Sequence, residues 1–221
     1  MDGHGLWGDD DDPYIATAYQ EGGTLSALMT ELIPHTQEDL IRVMRDTTIG
    51  VIELHAQKVI HCDIKPSNVG LSQQATAKVL DLGLSCYQGS RVMPDMPSGG
   101  QIIITGSTLP YSDNSPLVRG TPGRSMPPEA YISDTPVLDS RDIWSIGVTA
   151  YAIFTKKFPF KTPPALSGAL AYQQAAREKP EEISAAAAPE EIRRIVMAAI
   201  DPESKQRPNL QALFKSFEAA A

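Results

Sequence analysis

The sequence predicts an α+β domain, mainly helical with one small β-hairpin, and three stretches predict it. Gln37 to Gln57 carries Leu40, Ile41, Val43, Met44, Ile49, Val51, Ile52 and Leu54 at helical spacing, with one broad face to bury. Ser140 to Phe154 (SRDIWSIGVTAYAIF) is apolar nearly all round, the pattern of a helix through the centre of a domain. Val69 to Ser72 and Ala77 to Leu80 are short apolar-rich runs around a polar Gln-Gln-Ala-Thr turn, the pattern of a hairpin.

With 221 residues, 42% of them hydrophobic, the chain can bury a substantial core as one large domain or two small ones. A net charge of −8 and a pI near 5.0 argue against nucleic acid or an anionic membrane as the main partner. Two cysteines, Cys62 and Cys86, supply no disulfide framework and point to a reducing compartment, cytoplasmic or nuclear. The N-terminus has neither the basic nor the apolar region of a secretory signal. The longest uncharged apolar-rich run, Ile143 to Thr155, falls short of the roughly 20 residues of a bilayer span and reads as a buried helix.

In chain order, Met1 to Asp12 (MDGHGLWGDDDD) formally matches G-x-G-x-x-G at Gly3, Gly5 and Gly8. No strand precedes the match, and four aspartates follow where a phosphate would sit, so residues 1–12 are expected to form an acidic disordered tip. Tyr14 to Tyr19 (YIATAY) has strand composition, and QEGGTL supplies a Gly-Gly turn into a helix capped by Thr24 or Ser26. Alone, that stretch reads equally well as an edge strand and turn without a ligand. Thr36, with Asp39 three residues on, is expected to cap the long helix, and His55 to be a surface or helix-end histidine.

From Ser85 to Pro128 the composition turns to Gly, Pro, Ser and Thr, a connection long enough to be functional or disordered. Within it, Gln101 to Thr105 (QIIIT) suits a short strand or a docking patch. Pro163 to Pro180 is expected to be another helix, Ser184 to Ala188 an alanine linker, and Ile192 to Ile200 an amphipathic helix buried through Ile192, Ile195, Val196 and Ala199.

The chemistry concentrates in His61 to Leu84, HCDIKPSNVGLSQQATAKVLDLGL, where Asp63, Lys65, Asn68 and Asp81 make sense at one site. A hairpin brings its outer ends together, so Asn68 and Asp81 should lie roughly 5 Å apart at the backbone. An amide oxygen and a carboxylate facing the same space suit a hard cation such as Mg²⁺, which prefers few protein oxygens plus water and phosphate. Pro66 stiffens the loop that carries Asp63 and Lys65. There a carboxylate can orient a hydroxyl nucleophile, and an ammonium can neutralise a transferring phosphoryl group. Singly, such residues are commonly turn formers and solvated charges; the spaced set carries the information. A Cys/His metal site fails on ligand count, since Cys62 and His61 have no spaced partners.

HCDIKPSN resembles the catalytic loop of the eukaryotic protein kinases, and DLG resembles their metal-binding DFG triplet. GTPGRSMPPE is similar to the family's closing GT-x-x-Y-x-APE, with Pro127 for the usual alanine and Ser125 where tyrosine is frequent. DPESKQRPNLQALF is similar to its D-P-x-x-R-P-[ST] terminus, and Phe158, Pro159 and Phe160 to its PF turn. The resemblance implies a protein-kinase-like C-terminal lobe with the hairpin at the active cleft. Residues 13–221 would be a partial kinase domain of hinge and C-lobe, with the activation segment at about 81–129.

The roles that follow come from the family's phosphoryl-transfer chemistry. Asp63 is implied as catalytic base, Lys65 as the group steadying the γ-phosphate of ATP, and Asn68 and Asp81 as Mg²⁺ ligands. Thr17 is the implied gatekeeper; the backbone of Ala18, Tyr19 and Gln20 would bond adenine, and Gly70 stands where an adenine-facing leucine is usual. His61 is implied as a packing residue, Asp142 as acceptor of backbone N–H groups around it, and Thr121 as a contact of the catalytic aspartate. Arg207 would pair bidentately with Glu129, the alternative being an ordinary exposed arginine. Lysine two residues after the aspartate resembles the serine/threonine branch, so the implied partner is a protein with a Ser or Thr hydroxyl.

Cys62 replaces the arginine that reads activation-loop phosphorylation in the family, and Gly70 should weaken base stacking. No glycine-rich loop, strand lysine or helix glutamate precedes the hinge, so the N-lobe-facing surface around the hinge and DLG is expected to be exposed and open to association. Two function classes follow: a serine/threonine protein kinase, or a kinase-like binding or scaffold module without catalysis.

Overall fold

The computed structural model describes residues 5–7, 14–30, 35–95, 101–105, 118–120, 125–131, 135–161 and 174–221. In chain order the elements are β1 (Gly5–Trp7), β2 (Tyr14–Ala16), α1 (Leu25–Met29), α2 (Gln37–Ala56), β3 (Val59–Ile60), β4 (Val69–Leu71), β5 (Ala77–Val79) and β6 (Cys86–Tyr87). They continue as β7 (Arg91–Asp95), β8 (Gln101–Thr105), β9 (Val118–Gly120), β10 (Thr135–Pro136), α3 (Ser140–Thr155), α4 (Glu190–Ala199) and α5 (Leu210–Ala220). The fold is α+β and mainly helical, as expected.

Helix α2 begins on a capping box: Thr36 Oγ1 accepts the Asp39 N–H at 3.1 Å, and Asp39 Oδ2 accepts the Thr36 N–H at 2.8 Å. Helix α3 is buried continuously from Arg141 to Phe154, which explains its nearly uniform apolar sequence. It runs through one core with Met44 and Val51 of α2, Ile192 and Val196 of α4, and Leu213 and Phe217 of α5. Gly147 lets α3 approach the end of α4, since a Cβ there would stand 2.8 Å from both Ala199 Cβ and Ile200 Cγ2.

The hairpin forms as the pattern predicts, with Val69 opposite Val79, Gly70 opposite Lys78 and Leu71 opposite Ala77. A further rung, Leu80 N–H to the Asn68 carbonyl at 2.8 Å, carries the pairing to the ends where the chemistry lies. The short strand β3 pairs antiparallel with β6, Ile60 opposite Cys86.

Several expectations need correction. Gly5–Trp7, inside the tip expected to be disordered, pairs with Tyr14–Ala16 as β1 and β2, a stretch whose sequence holds the strand-favouring residue types Trp, Tyr and Ile. The connection after Ser85 is partly sheet: β10, β7, β8 and β9 lie in that order, all antiparallel, and QIIIT is an inner strand. The alanine linker is not merely a spacer, since Ala188 is fully buried as part of the core. Most of the helix expected at Pro163 to Pro180 lies outside the described residues. Among the described residues no helix is long and apolar enough to cross a membrane.

Candidate functional site

The site hangs from Asp142, in the first turn of α3, where a carboxylate also suits the helix dipole. Its fully buried side chain accepts the His61 N–H at 2.8 Å, the Cys62 N–H at 2.9 Å and His55 Nε2 at 2.8 Å. Three donors on one buried carboxylate fix the loop to the core, as the resemblance implies for Asp142. His55 thus sits in the last turn of α2, a helix-end histidine as one of the two expectations had it, with its ring against Asp142. The buried stripe Met44, Thr48 and Val51 continues to it at helical spacing, a signal the sequence already contained.

His61 packs, as implied, and also bridges. Its Nε2 lies 3.0 Å from the Leu80 carbonyl, which can only accept, so Nε2 carries the ring proton. Nδ1 is left to accept the Asp63 N–H at 3.2 Å. One imidazole therefore joins the residue before Asp81 to the backbone of Asp63.

Asp63 Oδ2 accepts Lys65 Nζ at 2.7 Å and Asn68 Nδ2 at 2.8 Å. The same amide reaches the Asp63 carbonyl at 3.0 Å. Pro66 opens a 3₁₀ turn, Pro66–Asn68, that swings Asn68 back onto the loop. Among the described residues Asn68 Oδ1 meets only Ser67 Oγ, at 3.4 Å.

Asp81 stands one residue beyond the Asn68–Leu80 rung, as hairpin geometry requires, but its side chain makes no hydrogen bond to the other three. Its backbone is left-handed, with φ of 63°, and Oδ1 accepts the Gly83 N–H at 3.0 Å. Three of the four groups therefore meet directly, and the fourth faces its own loop. The donor set, an amide oxygen and carboxylates, fits Mg²⁺ in kind. No trio of His, Cys, Asp or Glu among the described residues is grouped to hold a metal.

The Gly22–Gly23 turn, part of the expected hinge stretch, is stitched to β4: Gly22 N–H donates to the Leu71 carbonyl at 2.8 Å and Leu71 N–H to the Gly23 carbonyl at 2.9 Å. Thr17 is exposed, and Tyr19 is 88% exposed. The Ala18 carbonyl accepts Gln20 Nε2 at 2.9 Å, and the Gln20 stem covers Gly70.

Arg207 and Glu129 form a bidentate pair, Nη1 to Oε1 at 2.6 Å and Nη2 to Oε2 at 2.9 Å. The guanidinium also donates to the carbonyls of Asp201 and Ser140, at 2.8 and 2.9 Å, and lies 4.8 Å from the Trp144 ring centre. Thr121 lies outside the described residues. One contact was not foreseen from sequence: the sulfurs of Cys62 and Cys86 are 3.6 Å apart.

The protein kinase domain family matches residues 3–217. Serine/threonine-protein kinase GIN4 of Saccharomyces cerevisiae is 27% identical over 155 residues, 70% of this chain and 12% of that protein. Receptor-interacting serine/threonine-protein kinase 3 of Homo sapiens is 28% identical over 164 residues, covering 72% of this chain and 28% of the relative. A calcium/calmodulin-dependent protein kinase kinase of Caenorhabditis elegans is 32% identical over 158 residues, covering 68% and 25%. The aligned segments thus span under a third of these relatives' lengths. With the match running over almost the whole sequence, and the Asp63 loop and the Arg207–Glu129 pair built as they are, the chain belongs to the protein kinase domain family.

Proposed function

We propose that the chain acts as a protein serine/threonine kinase, moving the γ-phosphoryl group of ATP to a Ser or Thr hydroxyl of a protein. The observation that carries this is the state of Asp63: two donors hold Oδ2, while Oδ1 has no hydrogen bond among the described residues. A carboxylate fixed by one oxygen and open at the other is suited to orient a hydroxyl and accept its proton. The hydroxyl oxygen then attacks the γ-phosphorus, the bond to the β-phosphate oxygen breaks, and ADP leaves. Lys65, 2.7 Å from Asp63 and part-exposed, can follow the transferring group and balance its charge. Mg²⁺, when bound, would neutralise the phosphate oxygens; Asn68 Oδ1 and the Asp81 carboxylate, whose Oδ1 accepts the Gly83 N–H, are the groups suited to hold it. The N-lobe-facing surface, where Tyr19 and Leu82 are exposed, is proposed as a second association site.

The test is transfer of label from Mg-ATP to a general protein substrate by the full chain, followed by phosphoamino-acid analysis. Phosphoserine and phosphothreonine that vanish in Asp63→Asn support the reading; phosphotyrosine, or label indifferent to Asp63→Asn, ends it. One observation favours a binding module without turnover: the Ala18 carbonyl, a hinge group for adenine, is already engaged by Gln20. A folded chain that neither binds nucleotide nor transfers label would favour that second reading.

A further inference from the structure

We infer that Cys62 and Cys86 are a peroxide-sensitive modification site, closing reversibly into a disulfide that joins the loop of Asp63 to strand β6. They are the chain's two cysteines, 24 residues apart in sequence, and the β3–β6 pairing with Ile60 opposite Cys86 brings their sulfurs to 3.6 Å. A disulfide needs about 2.05 Å, so the sulfurs must close by about 1.5 Å, which is within reach of side-chain rotation. The two thiols are unequal. Cys62 is buried, in a small cluster with Ile60 and Val137, while Cys86 and Met126 lie partly buried at its edge.

The surroundings favour one direction of reaction. Arg141, 2% exposed at the start of α3, has Nε and Nη2 without a hydrogen-bond partner among the described residues, and its charge acts on both sulfurs. The hydrogen bond from Cys62 and the Arg141 charge hold the Cys86 thiol below its ordinary range, against the effect of burial. Cys62 is pushed the other way by its hydrogen bond to Cys86 and by burial. Cys86, the less buried of the two thiols, is therefore the sulfur that peroxide reaches and that attacks it, and Cys62 the resolving one.

The steps balance with hydrogen peroxide as oxidant. The Cys86 thiolate attacks one peroxide oxygen, the O–O bond breaks, and with one proton taken up the products are Cys86 sulfenic acid and water. The Cys62 sulfur then attacks the Cys86 sulfur; the S–O bond breaks, and the departing hydroxide takes the Cys62 proton as a second water. Two thiols and one peroxide give one disulfide and two waters, and a dithiol reductant reverses it.

The bond would lie one residue from Asp63, at a Cys62 backbone held in the left-handed region with φ of 66° and tied through its N–H to Asp142. Any effect on phosphoryl transfer rests on the kinase reading; the site itself does not.

The experiment treats the reduced full chain with one equivalent of hydrogen peroxide, alkylates free thiols, digests with trypsin without reductant and weighs the peptides. The expected result is loss of both alkylatable thiols and a linked species of residues 59–78 and 79–91, two hydrogens lighter than their sum, abolished by dithiothreitol. In Cys62→Ser, dimedone should label Cys86. Thiols that remain alkylatable, or cross-links only between chains, would overturn the proposal, whatever the chain does with ATP.

Discussion

The side chain of Gln20 lies across Gly70 so closely that a Cβ at Gly70 would stand 2.6 Å from Gln20 Cγ and 2.8 Å from Leu80 Cδ1. The hinge glutamine thus fills the space that a larger β4 residue would take, and only glycine fits beneath it. Gly70→Leu is expected to force Gln20 and Leu80 aside and to destabilise the fold by about 1–3 kcal/mol through overpacking, and adding Gln20→Ala should recover part of that loss, both read as urea midpoints.

Removing the carboxylate of Asp142 strands three buried donors at once, from His55, His61 and Cys62. Asp142→Ala is expected to destabilise the fold by about 3 kcal/mol or more, read as a lower urea midpoint, because buried unpaired donors keep their full desolvation cost.

Glu129→Ala leaves the Arg207 guanidinium buried without its carboxylate, and a loss of about 3–5 kcal/mol is expected. Arg207→Lys should cost a similar amount, since an ammonium cannot give the forked pair with Glu129 that the guanidinium makes beside the Trp144 ring. Chemical denaturation of the single and double variants gives the coupling directly.

Thr36→Ala should cost about 1 kcal/mol by opening the α2 cap. The Thr36 backbone N–H chiefly, then its hydroxyl and Arg42, hold the Asp39 carboxyl below its ordinary 3.8. A lowered folded value means a contribution present above the unfolded value and lost as pH falls through the folded one. Asp39→Asn should therefore flatten the acid side of the stability curve, a modest change because Asp39 is largely solvated.

What the sequence made legible was periodic or closely spaced. Helices α2 and α3 were readable because many residues repeat one pattern, and Asp63, Lys65 and Asn68 because a six-residue stretch with Pro66 leaves them few ways to avoid each other. The Cys62–Cys86 contact was not, because β3 and β6 are two residues each, too short for any period, and their pairing spans a long stretch of chain. The inner strand at Gln101 was offered only as one option, since its neighbours in the sheet are non-local. The hairpin register places Asp81, but its bond to the Gly83 N–H is not legible, because that depends on a left-handed backbone that alternation cannot reveal.

The imidazole of His61 spans Leu80 and Asp63, and both sides of that bridge depend on a single tautomer. Substituting glutamine or phenylalanine could keep the packing yet would sever one or both sides. The two acids would then be free to drift independently, so a chain that melts at the same temperature could still lose its chemistry.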